Sequence, residues 1–379
     1  MTTQETVKQI IENVKKNGDT ALEEYALKFN NAKIDTLKIS QTQIQDAYKK
    51  VDTEIMRSLK VAIKNITKFN KNILSVRERP IQTSPGITCW REFRPIEKVG
   101  LYIPGGRAKY PSTVLMLGIP AKLAGCSDII MCSPPPIAAV TLVAADIVGI
   151  KNIYQVGGAQ AIAAMAFGTK TIPQVYKIFG PGNKYVTEAK IQVSNTVAID
   201  MPAGPSEIAI LADETANPKF IEKDLASQLE HGPDSVAILI TWDKKLAQKI
   251  KIGKVKLVPN MTEAIKLVNE IAPEHLEIMA KNEKHILSKI INAGSIFLGN
   301  YSPVSAGDYV TGPNHTLPTA GWSKTYGALS VEDFGKKIEV QRVTKQGLKK
   351  IKNTITTIAR AEGLNAHADS IETRFLKQI

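Results

Sequence analysis

The chain has 379 residues, of which 43% are hydrophobic and 22% are charged, a composition typical of a globular protein with two or three domains. No apolar run approaches the ~20 residues that a membrane-spanning helix requires, so the composition excludes an integral membrane protein. The net charge of +13 comes mostly from lysines interleaved with glutamates. Nucleic-acid binders show a patterned basic footprint with aromatic side chains, so we expect small anionic ligands and no nucleic acid.

The cysteines and the first residues favour a cytoplasmic protein. The cysteines are Cys89, Cys126 and Cys132, and no CxxC pair occurs, so we expect neither a disulfide framework nor a thiolate zinc site. The N-terminal stretch carries an amphipathic helical pattern, without the uninterrupted apolar stretch and cleavage site of a signal peptide.

Helical spacing dominates the first part of the chain. Apolar residues recur at the interval of an amphipathic helix at Val7, Ile10, Ile11 and Val14, and similar patterns continue to about residue 78. Residues 1–98 are therefore predicted to be an N-terminal helical segment.

From about residue 97, short apolar runs alternate with helical patterns in two series of five. Such runs between helices are typical of strands in parallel sheets covered on both faces. We predict an α/β fold with two similar Rossmann-like units, at 99–204 and 205–320, and we expect the helices of residues 1–98 to pack on the second. The ten predicted strands are VGLYIP (99–104), DIIMCSP (128–134), IYQVGG (153–158), VYKIFGPG (175–182), VAIDMPAG (197–204), IAILAD (208–213), SVAILIT (235–241), VKLVPN (255–260), HLEIMA (275–280) and GSIFLG (294–299).

After residue 300 glycine and proline recur at turn spacing, which predicts a loop-rich segment. The stretch 345–361 has the apolar spacing of a helix, Gly363 ends it, and a last short helix follows. The tail 321–379 is too small to fold alone, so we expect it to pack on the main body or on another subunit.

Four of the five histidines lie beside carboxylates or an amide, and only His285 stands alone. Gln228 and His231 are three apart in a helical pattern, which places both on one helix face as two ligands of one metal would be. The alternative is a histidine that complements the negative end of a helix.

The other three histidine motifs are equally ambiguous when taken singly. Glu274 and His275 offer two bases of different pKa, or an exposed turn. Asp308 and His315 lie in the predicted loop, where they could be a metal ligand and a substrate contact, or parts of a simple turn. A fourth pair, Glu362 and His367, straddles a predicted helix end and carries little weight alone.

Glycine-rich turns follow three predicted strands and open helices, at 104–112, 156–164 and 179–190. A strand, a glycine turn and a helix can present backbone N–H groups to a phosphate, although each segment could equally be a tight turn. None has the GxGxxG pattern, so the fingerprint alone predicts no dinucleotide.

Together these segments resemble the histidinol dehydrogenase family, from about residue 5 to the C-terminus. The resemblance rests on many strings in the same order: GLYIPGG, YPSTVLM, GGAQAIAA, GPGN with VTEAK, IDMPAGPSE, DLASQLEHGPDS, APEHLEI, AGSIFLG, SAGDYVTGPNHTLPT and AEGLNAH. Family members usually carry a further N-terminal segment, and a helix-sized piece between Thr241 and Val255 is absent here. Neither departure removes a site residue.

The resemblance implies a zinc-dependent homodimer of histidine biosynthesis that oxidises L-histidinol to L-histidine through histidinal with two NAD⁺. It implies that the first α/β domain is the nucleotide side, that the second carries the zinc and catalytic residues, and that the C-terminal tail crosses the dimer. The implied zinc ligands are Gln228, His231, Asp308 and His367. The implied catalytic bases are Glu274 and His275. The implied substrate contacts are Ser206, His315 and Glu362, together with Gln228, His231, His275, Asp308 and His367. The implied NAD contacts are Tyr102, Gln160 and Asn183.

Three other functions stay open at the level of the sequence. A relative within the same superfamily could oxidise a different alcohol, such as a sulfonated diol. A zinc hydrolase could use the same ligands to activate water, although the three glycine-rich turns would then have no role. A basic nucleic-acid-binding protein would bind DNA in a salt-sensitive manner.

Overall fold

The computed structural model describes residues 1–74, 78–106, 108–202 and 204–376. The chain divides into a main unit, residues 1–74 and 95–334, and a tail unit, formed by the described residues of 75–94 and 335–379. Within these described ranges, no helix is long and apolar enough to cross a bilayer.

Four helices begin the main unit: α1 (Thr3–Asn17), α2 (Asp19–Asn30), α3 (Gln41–Tyr48) and α4 (Thr53–Leu74). A capping box starts α1, because the Thr2 side chain accepts from the Glu5 N–H while the Glu5 carboxylate accepts from the Thr2 N–H. Gly18, with a φ of 53°, ends it. The predicted apolar face of α1 is buried.

Two strands of the tail unit come next, β1 (Ile81–Ser84) and β2 (Ile87–Pro95). The first α/β half of the main unit then consists of β3 (Lys98–Tyr102), α5 (Pro111–Ala124), β4 (Asp128–Cys132), α6 (Ala139–Val148), β5 (Asn152–Tyr154), α7 (Gly158–Phe167), β6 (Lys177–Phe179), α8 (Lys184–Val193) and β7 (Ala198–Ile199). Its five strands form a parallel sheet in the order β5-β4-β3-β6-β7.

The second half consists of β8 (Glu207–Ala212), α9 (Pro218–Leu229), β9 (Val236–Thr241), α10 (Lys244–Lys249), β10 (Lys254–Leu257), α11 (Met261–Ile271), β11 (His275–Met279), α12 (Glu283–Leu287), β12 (Ser295–Leu298) and α13 (Val304–Tyr309). Its parallel sheet has the order β10-β9-β8-β11-β12. Strand β8 is apolar throughout its interior because both faces are covered. Ile208 and Ile210 belong to one core cluster, and Ala209 and Leu211 to the other.

All ten predicted strands are confirmed, but the predicted packing of the N-terminal helices is wrong for α1 and α3. We expected them on the second α/β unit. Instead, the buried face of α1 lies in one core cluster with residues of α7 and α8, and α3 packs against α6. These helices therefore complete the core of the first half. Helix α4 contacts both halves, because it packs on α5 and its Asn65 side chain donates to the Val310 carbonyl at 2.9 Å. The amphipathic pattern shows that a face is buried, without indicating which partner covers it.

Two short 3₁₀ helices, Trp322–Lys324 and Val331–Phe334, end the main unit, and the tail unit continues with β13 (Gly335–Val343), α14 (Lys345–Ala361) and α15 (Asn365–Thr373). Strand β13 lies beside β2 in a three-stranded sheet. Residues 78–94, predicted as part of a helical segment, are therefore mainly strands of the tail unit. The predicted helix at 345–361 is confirmed.

Candidate active site

The residues of the candidate site meet at the amino-terminal edge of the second sheet. His275 is the first residue of β11, and its register partners are Ile208 on β8 and Ser295 on β12. Glu207, the first residue of β8, therefore lies beside Glu274 and His275. Open parallel sheets commonly bind ligands at the carboxyl ends of their strands, so this half of the molecule uses the opposite edge.

The imidazole of His275 is buried and held in one orientation. Its Nδ1 lies 3.0 Å from the carbonyl oxygen of Glu207, which can only accept, so Nδ1 carries the proton of the neutral ring. Burial lowers the pKa of His275 to about 4. The ring is therefore neutral near pH 7. Its bare Nε2 is buried without a hydrogen-bond partner among the described residues, and it lies 3.8 Å from Asp308 Oδ1.

The carboxyl group of Glu274 lies on the other side of that ring, with Oε2 3.6 Å from His275 Nδ1. The same oxygen accepts from the Glu207 N–H at 2.7 Å, and the Ser206 side chain also hydrogen-bonds to the carboxyl group. Burial raises the pKa of Glu274 well above its usual value, and the nearby Asp308 and Glu207 carboxylates raise it further. The backbone of Glu207 thus orients both predicted bases, one through its N–H and the other through its carbonyl.

Asp308 and His315 form the opposite wall. Asp308 is part of helix α13, so the predicted loop is partly helical here. The His315 Nδ1 lies 2.9 Å from the Asp308 carbonyl oxygen, and its Nε2 lies 3.2 Å from the Thr113 hydroxyl on α5. Asn314 donates to the Met116 carbonyl at 2.6 Å. These bonds connect the second half of the main unit to helix α5 of the first.

A cavity of about 130 Å³ opens between these walls, and its polar lining includes His275, Asp308 and His315. Burial raises the pKa of Asp308 to about 7 and lowers the pKa of His315 to about 4. Both shifts come from the removal of water around a charge that no opposite charge balances. The cavity is therefore lined by an acid and by imidazoles that burial biases towards their neutral forms.

Gln228 and His231 are placed differently from the prediction of one helix face. Helix α9 ends at Leu229, and His231 lies in the following turn, where its N–H donates to the Gln228 carbonyl at 3.3 Å. His231 remains close enough to the other two rings that its charge would lower the pKa values of His275 and His315. The Gln228 side chain is buried, and its Nε2 has no partner among the described residues.

The predicted ligands of the main unit carry donor atoms of the kinds that bind metal ions. Within the described residues, no group of three or more His, Cys, Asp and Glu side chains is close enough to hold a metal ion. The chemistry of the donors nevertheless fits zinc: a partly buried carboxyl of raised pKa, a buried amide whose Nε2 has no partner among the described residues, and an imidazole of lowered pKa. The fourth predicted ligand, His367, is exposed on α15 of the tail unit, and Glu362 is exposed at the end of α14.

Of the three residues predicted to contact NAD, Tyr102 is the last residue of β3, and Gln160 and Asn183 follow strands β5 and β6 of the first sheet. Tyr102 is buried, its hydroxyl accepts from the Gly158 N–H at 3.0 Å, and Gln160 is buried next to Gly158. Asn183 is exposed and caps α8 by accepting from the N–H groups of Tyr185 and Val186. Tyr102 and Gln160 are thus brought together around one glycine turn, and Asn183 opens another.

Sequence reasoning missed two residues that organise the site, Glu207 and Thr113. Glu207 contacts both bases through its backbone N–H and carbonyl, so the identity of its side chain gives no indication of this role. Thr113 lies in the string YPSTVLM, but its contact with His315 joins residues 202 positions apart. Only its polar character in an otherwise apolar helix could have drawn attention to it.

Comparisons with known proteins match the chain to one family. The sequence profile of the histidinol dehydrogenase family matches residues 1–256 and 250–375. Histidinol dehydrogenases from Vibrio parahaemolyticus and Archaeoglobus fulgidus are each 46% identical to the chain, over 98% of its length and 91% and 96% of theirs.

Solved structures give the same assignment. Histidinol dehydrogenase from Elizabethkingia anophelis superposes with a TM-score of 0.94 at 44% identity, over 99% of this chain and 92% of that one. An acetylating aldehyde dehydrogenase from Geobacillus thermoglucosidasius matches with a TM-score of 0.50 at 15% identity, over 90% of this chain and 97% of that one, which shows a shared fold alone. The chain belongs to the histidinol dehydrogenase family.

Proposed function

We propose that the protein is a cytoplasmic homodimer that oxidises L-histidinol to L-histidine through histidinal, with zinc and two NAD⁺, in histidine biosynthesis. Family membership supports the substrate and the reaction class. The observation that carries the mechanism is the pair of adjacent buried bases, His275 and Glu274, both oriented by the backbone of Glu207, with His275 lining the cavity.

His275 is the base for the alcohol proton. Its Nδ1 proton is held by the Glu207 carbonyl, so the bare Nε2 is the atom that accepts. A neutral ring at pH 7 can take a proton at once, and the Asp308 carboxylate 3.8 Å away stabilises the imidazolium that forms. Because each oxidation releases one proton from an oxygen of the substrate, the same ring serves both.

Glu274 is the base for the water that adds to the aldehyde. An ordinary glutamate is a poor base near neutral pH, whereas burial raises the pKa of Glu274 towards the working range. The Glu207 N–H and the Ser206 side chain hold its carboxyl group in place. As Glu274 takes a proton from the water, the water oxygen bonds to the aldehyde carbon and the C=O π electrons move to the carbonyl oxygen, which regains a proton to give the hydrate from which the second oxidation proceeds.

Zinc would be held by Gln228, His231 and Asp308 of one subunit and by His367 of the other, and it would act as a template that orients the imidazole and amine of the substrate. Glu362 of the other subunit would pair with the substrate ammonium group. His315 and Ser206 would complete the substrate contacts.

The cofactor would lie at the carboxyl edge of the first sheet, near Tyr102, Gln160 and Asn183. NAD⁺ supplies the hydride acceptor, twice per turnover. The glycine turns after β5 and β6 support this proposal, because helices α7 and α8 begin there and the N-terminus of a helix favours an anionic group. The first half would then be the nucleotide domain and the second the zinc and catalytic domain.

The test is NADH formation from L-histidinol, with NADH and histidine quantified, before and after removal of metal by a chelator. Two NADH per histidine, with loss of activity on chelation and recovery with Zn²⁺, support the proposal. One NADH per product, turnover of a sulfonated diol in place of histidinol, or hydrolysis of an ester without nucleotide would contradict it.

A further inference from the structure

Glu277 is a fully buried carboxyl group in the middle of strand β11. Residues at i and i+2 of a strand share a face, so Glu277 lies on the same face as His275 and Met279. That face is covered by the core cluster that includes Leu225 of α9 and Val304 of α13. A charge in such surroundings is costly unless it is paired or neutralised, so this carboxyl group requires an explanation.

One oxygen of Glu277 holds the start of helix α13. Its Oε1 accepts from the Val304 N–H at 2.9 Å. Val304 is the first residue of α13, and the preceding Pro303 provides no side-chain cap. The carboxyl group therefore satisfies an N–H that the helix leaves free. Asp308 lies four residues further along the same helix.

The Glu277 carboxyl group also lies beside a second carboxyl group. No N–H or hydroxyl donor among the described residues reaches Glu277 Oε2, and the Asp224 carboxyl group on α9 lies close enough to interact with the Glu277 carboxyl group. Two carboxyl groups can hydrogen-bond only when a proton lies between them. Burial and the Asp224 charge raise the pKa of Glu277 to about 8, and burial raises the pKa of Asp224 to about 6, so the pair retains a proton at neutral pH. Gln228 lies one helical turn after Asp224.

We propose that Glu277 is a positioning residue: through Asp224 and the Val304 N–H it sets the spacing of the three elements that carry Gln228, His275 and Asp308. The inference rests on the proposed zinc function in so far as two of these residues are proposed ligands. The contacts themselves lie within the main unit and stand independently of any metal.

Three variants separate positioning from general stability. Glu277→Gln keeps an oxygen for the Val304 N–H and supplies an N–H for Asp224, so it mimics the protonated carboxyl. Glu277→Leu removes both contacts. Asp213→Leu is the matched control, because Asp213 is also buried but follows β8 at the opposite edge of the same sheet, where it binds Thr215 and Lys281.

The first readout is the Kd for Zn²⁺, measured on metal-free protein by competition with a chelating dye. Glu277→Leu should raise the Kd by about 10–100-fold, as is typical when residues that support metal ligands are lost. Glu277→Gln should restore most of the affinity. Asp213→Leu should lower the temperature of unfolding and leave the Kd within a few-fold of wild type.

The second readout needs no metal: hydrogen–deuterium exchange of residues 304–309 in the metal-free protein. Glu277→Leu should speed this exchange by about tenfold, the factor expected for one lost hydrogen bond, and Glu277→Gln should reverse most of the change. Unchanged exchange in Glu277→Leu overturns the proposal, as does an equal loss of zinc affinity in Asp213→Leu. If wild-type protein binds no zinc, the proposed function fails, and the exchange rates still decide whether Glu277 holds α13.

Discussion

The backbone of Glu207 sets the chemistry of two side chains at once. Its carbonyl fixes the proton of His275 on Nδ1, and its N–H holds the Glu274 carboxylate. Burial then shifts the two pKa values in opposite directions, so that the imidazole is neutral and the carboxyl is a stronger base than usual. Two adjacent side chains thereby acquire different acid–base properties while both contact one residue.

Replacement of His275 by Asn should slow both oxidations, because the amide cannot accept a proton in the position of Nε2. We expect a loss of about 10²–10⁴-fold in each step, the usual contribution of a positioned base. Single-turnover NADH formation from histidinol and from histidinal measures the two steps separately. His285→Asn is the control, since His285 is exposed on α12. Loss in only one of the two steps would contradict the shared role.

Replacement of Glu274 by Gln should spare alcohol oxidation and reduce aldehyde oxidation by about 10²-fold or more, since only the second step needs an activated water. The amide oxygen still accepts from the Glu207 N–H, so the change leaves the local geometry intact. Histidinal should accumulate when histidinol is supplied, which chromatography of the quenched reaction detects. Equal losses in both steps would show that Glu274 has no separate role.

At the scale of secondary-structure elements, the strands of the two sheets could be predicted from the sequence. The ends of some elements, and the end of the second sheet at which the candidate site lies, could not. Strands such as β8 and β9 are continuous apolar runs because both faces are buried, and this signal is local. The end of α9 before His231 was missed, since a helix pattern extends easily past its last hydrogen bond. The use of the amino edge of the second sheet depends on how the halves pack, which spacing along the chain does not encode.

The turn between β6 and α8 offers a test at this scale. Gly180 has a φ of 121°, and a Cβ there would lie 2.1 Å from the Tyr102 carbonyl oxygen. Gly180→Ala should therefore destabilise the fold by about 2 kcal/mol or more and raise KM for NAD⁺. Gly106→Ala is a matched control, because its φ is 110° but nothing lies within 4 Å of the added Cβ. Chemical denaturation gives the free energy of unfolding, and steady-state kinetics give the KM for NAD⁺. Equal losses of stability in Gly180→Ala and Gly106→Ala would rule out the close contact with Tyr102 as the cause.

At the scale of the whole molecule, the resemblance of the sequence to its family identified the candidate site residues more completely than periodicity did. Helical periodicity did not show that α1 completes the first core, or that β2 pairs with β13 in a separate unit. Such contacts join residues far apart in the sequence, and each depends on which apolar surface remains uncovered after local structure has formed. The sequence strings shared with the family identify which positions are candidate site residues. The hydrogen bonds around Glu207 and Glu277 can be seen only in the three-dimensional structure.

The pH dependence of unfolding is a property of the whole chain that should report the Asp224–Glu277 pair. The folded pKa of Glu277, about 8, lies above the 4.5 of an ordinary glutamate. The folded state therefore binds the proton of Glu277 more tightly than the unfolded state does. The resulting contribution to the free energy of unfolding is complete below about pH 4.5 and is lost as pH rises towards 8. Urea unfolding of metal-free wild-type and Glu277→Gln protein across pH 5–8 isolates it. The wild type should lose stability relative to the variant as pH rises, and parallel curves would contradict this.

The central claim is that the tail residue His367 of one subunit completes the site that contains His275 of the other. The most direct measurement mixes two inactive chains, His275→Asn and His367→Ala, under conditions that exchange subunits. If sites are shared, each mixed dimer contains one intact site, and an equal mixture should recover about a quarter of wild-type activity by random pairing. If every site is built from a single chain, each still carries one mutation, and the mixture would remain inactive.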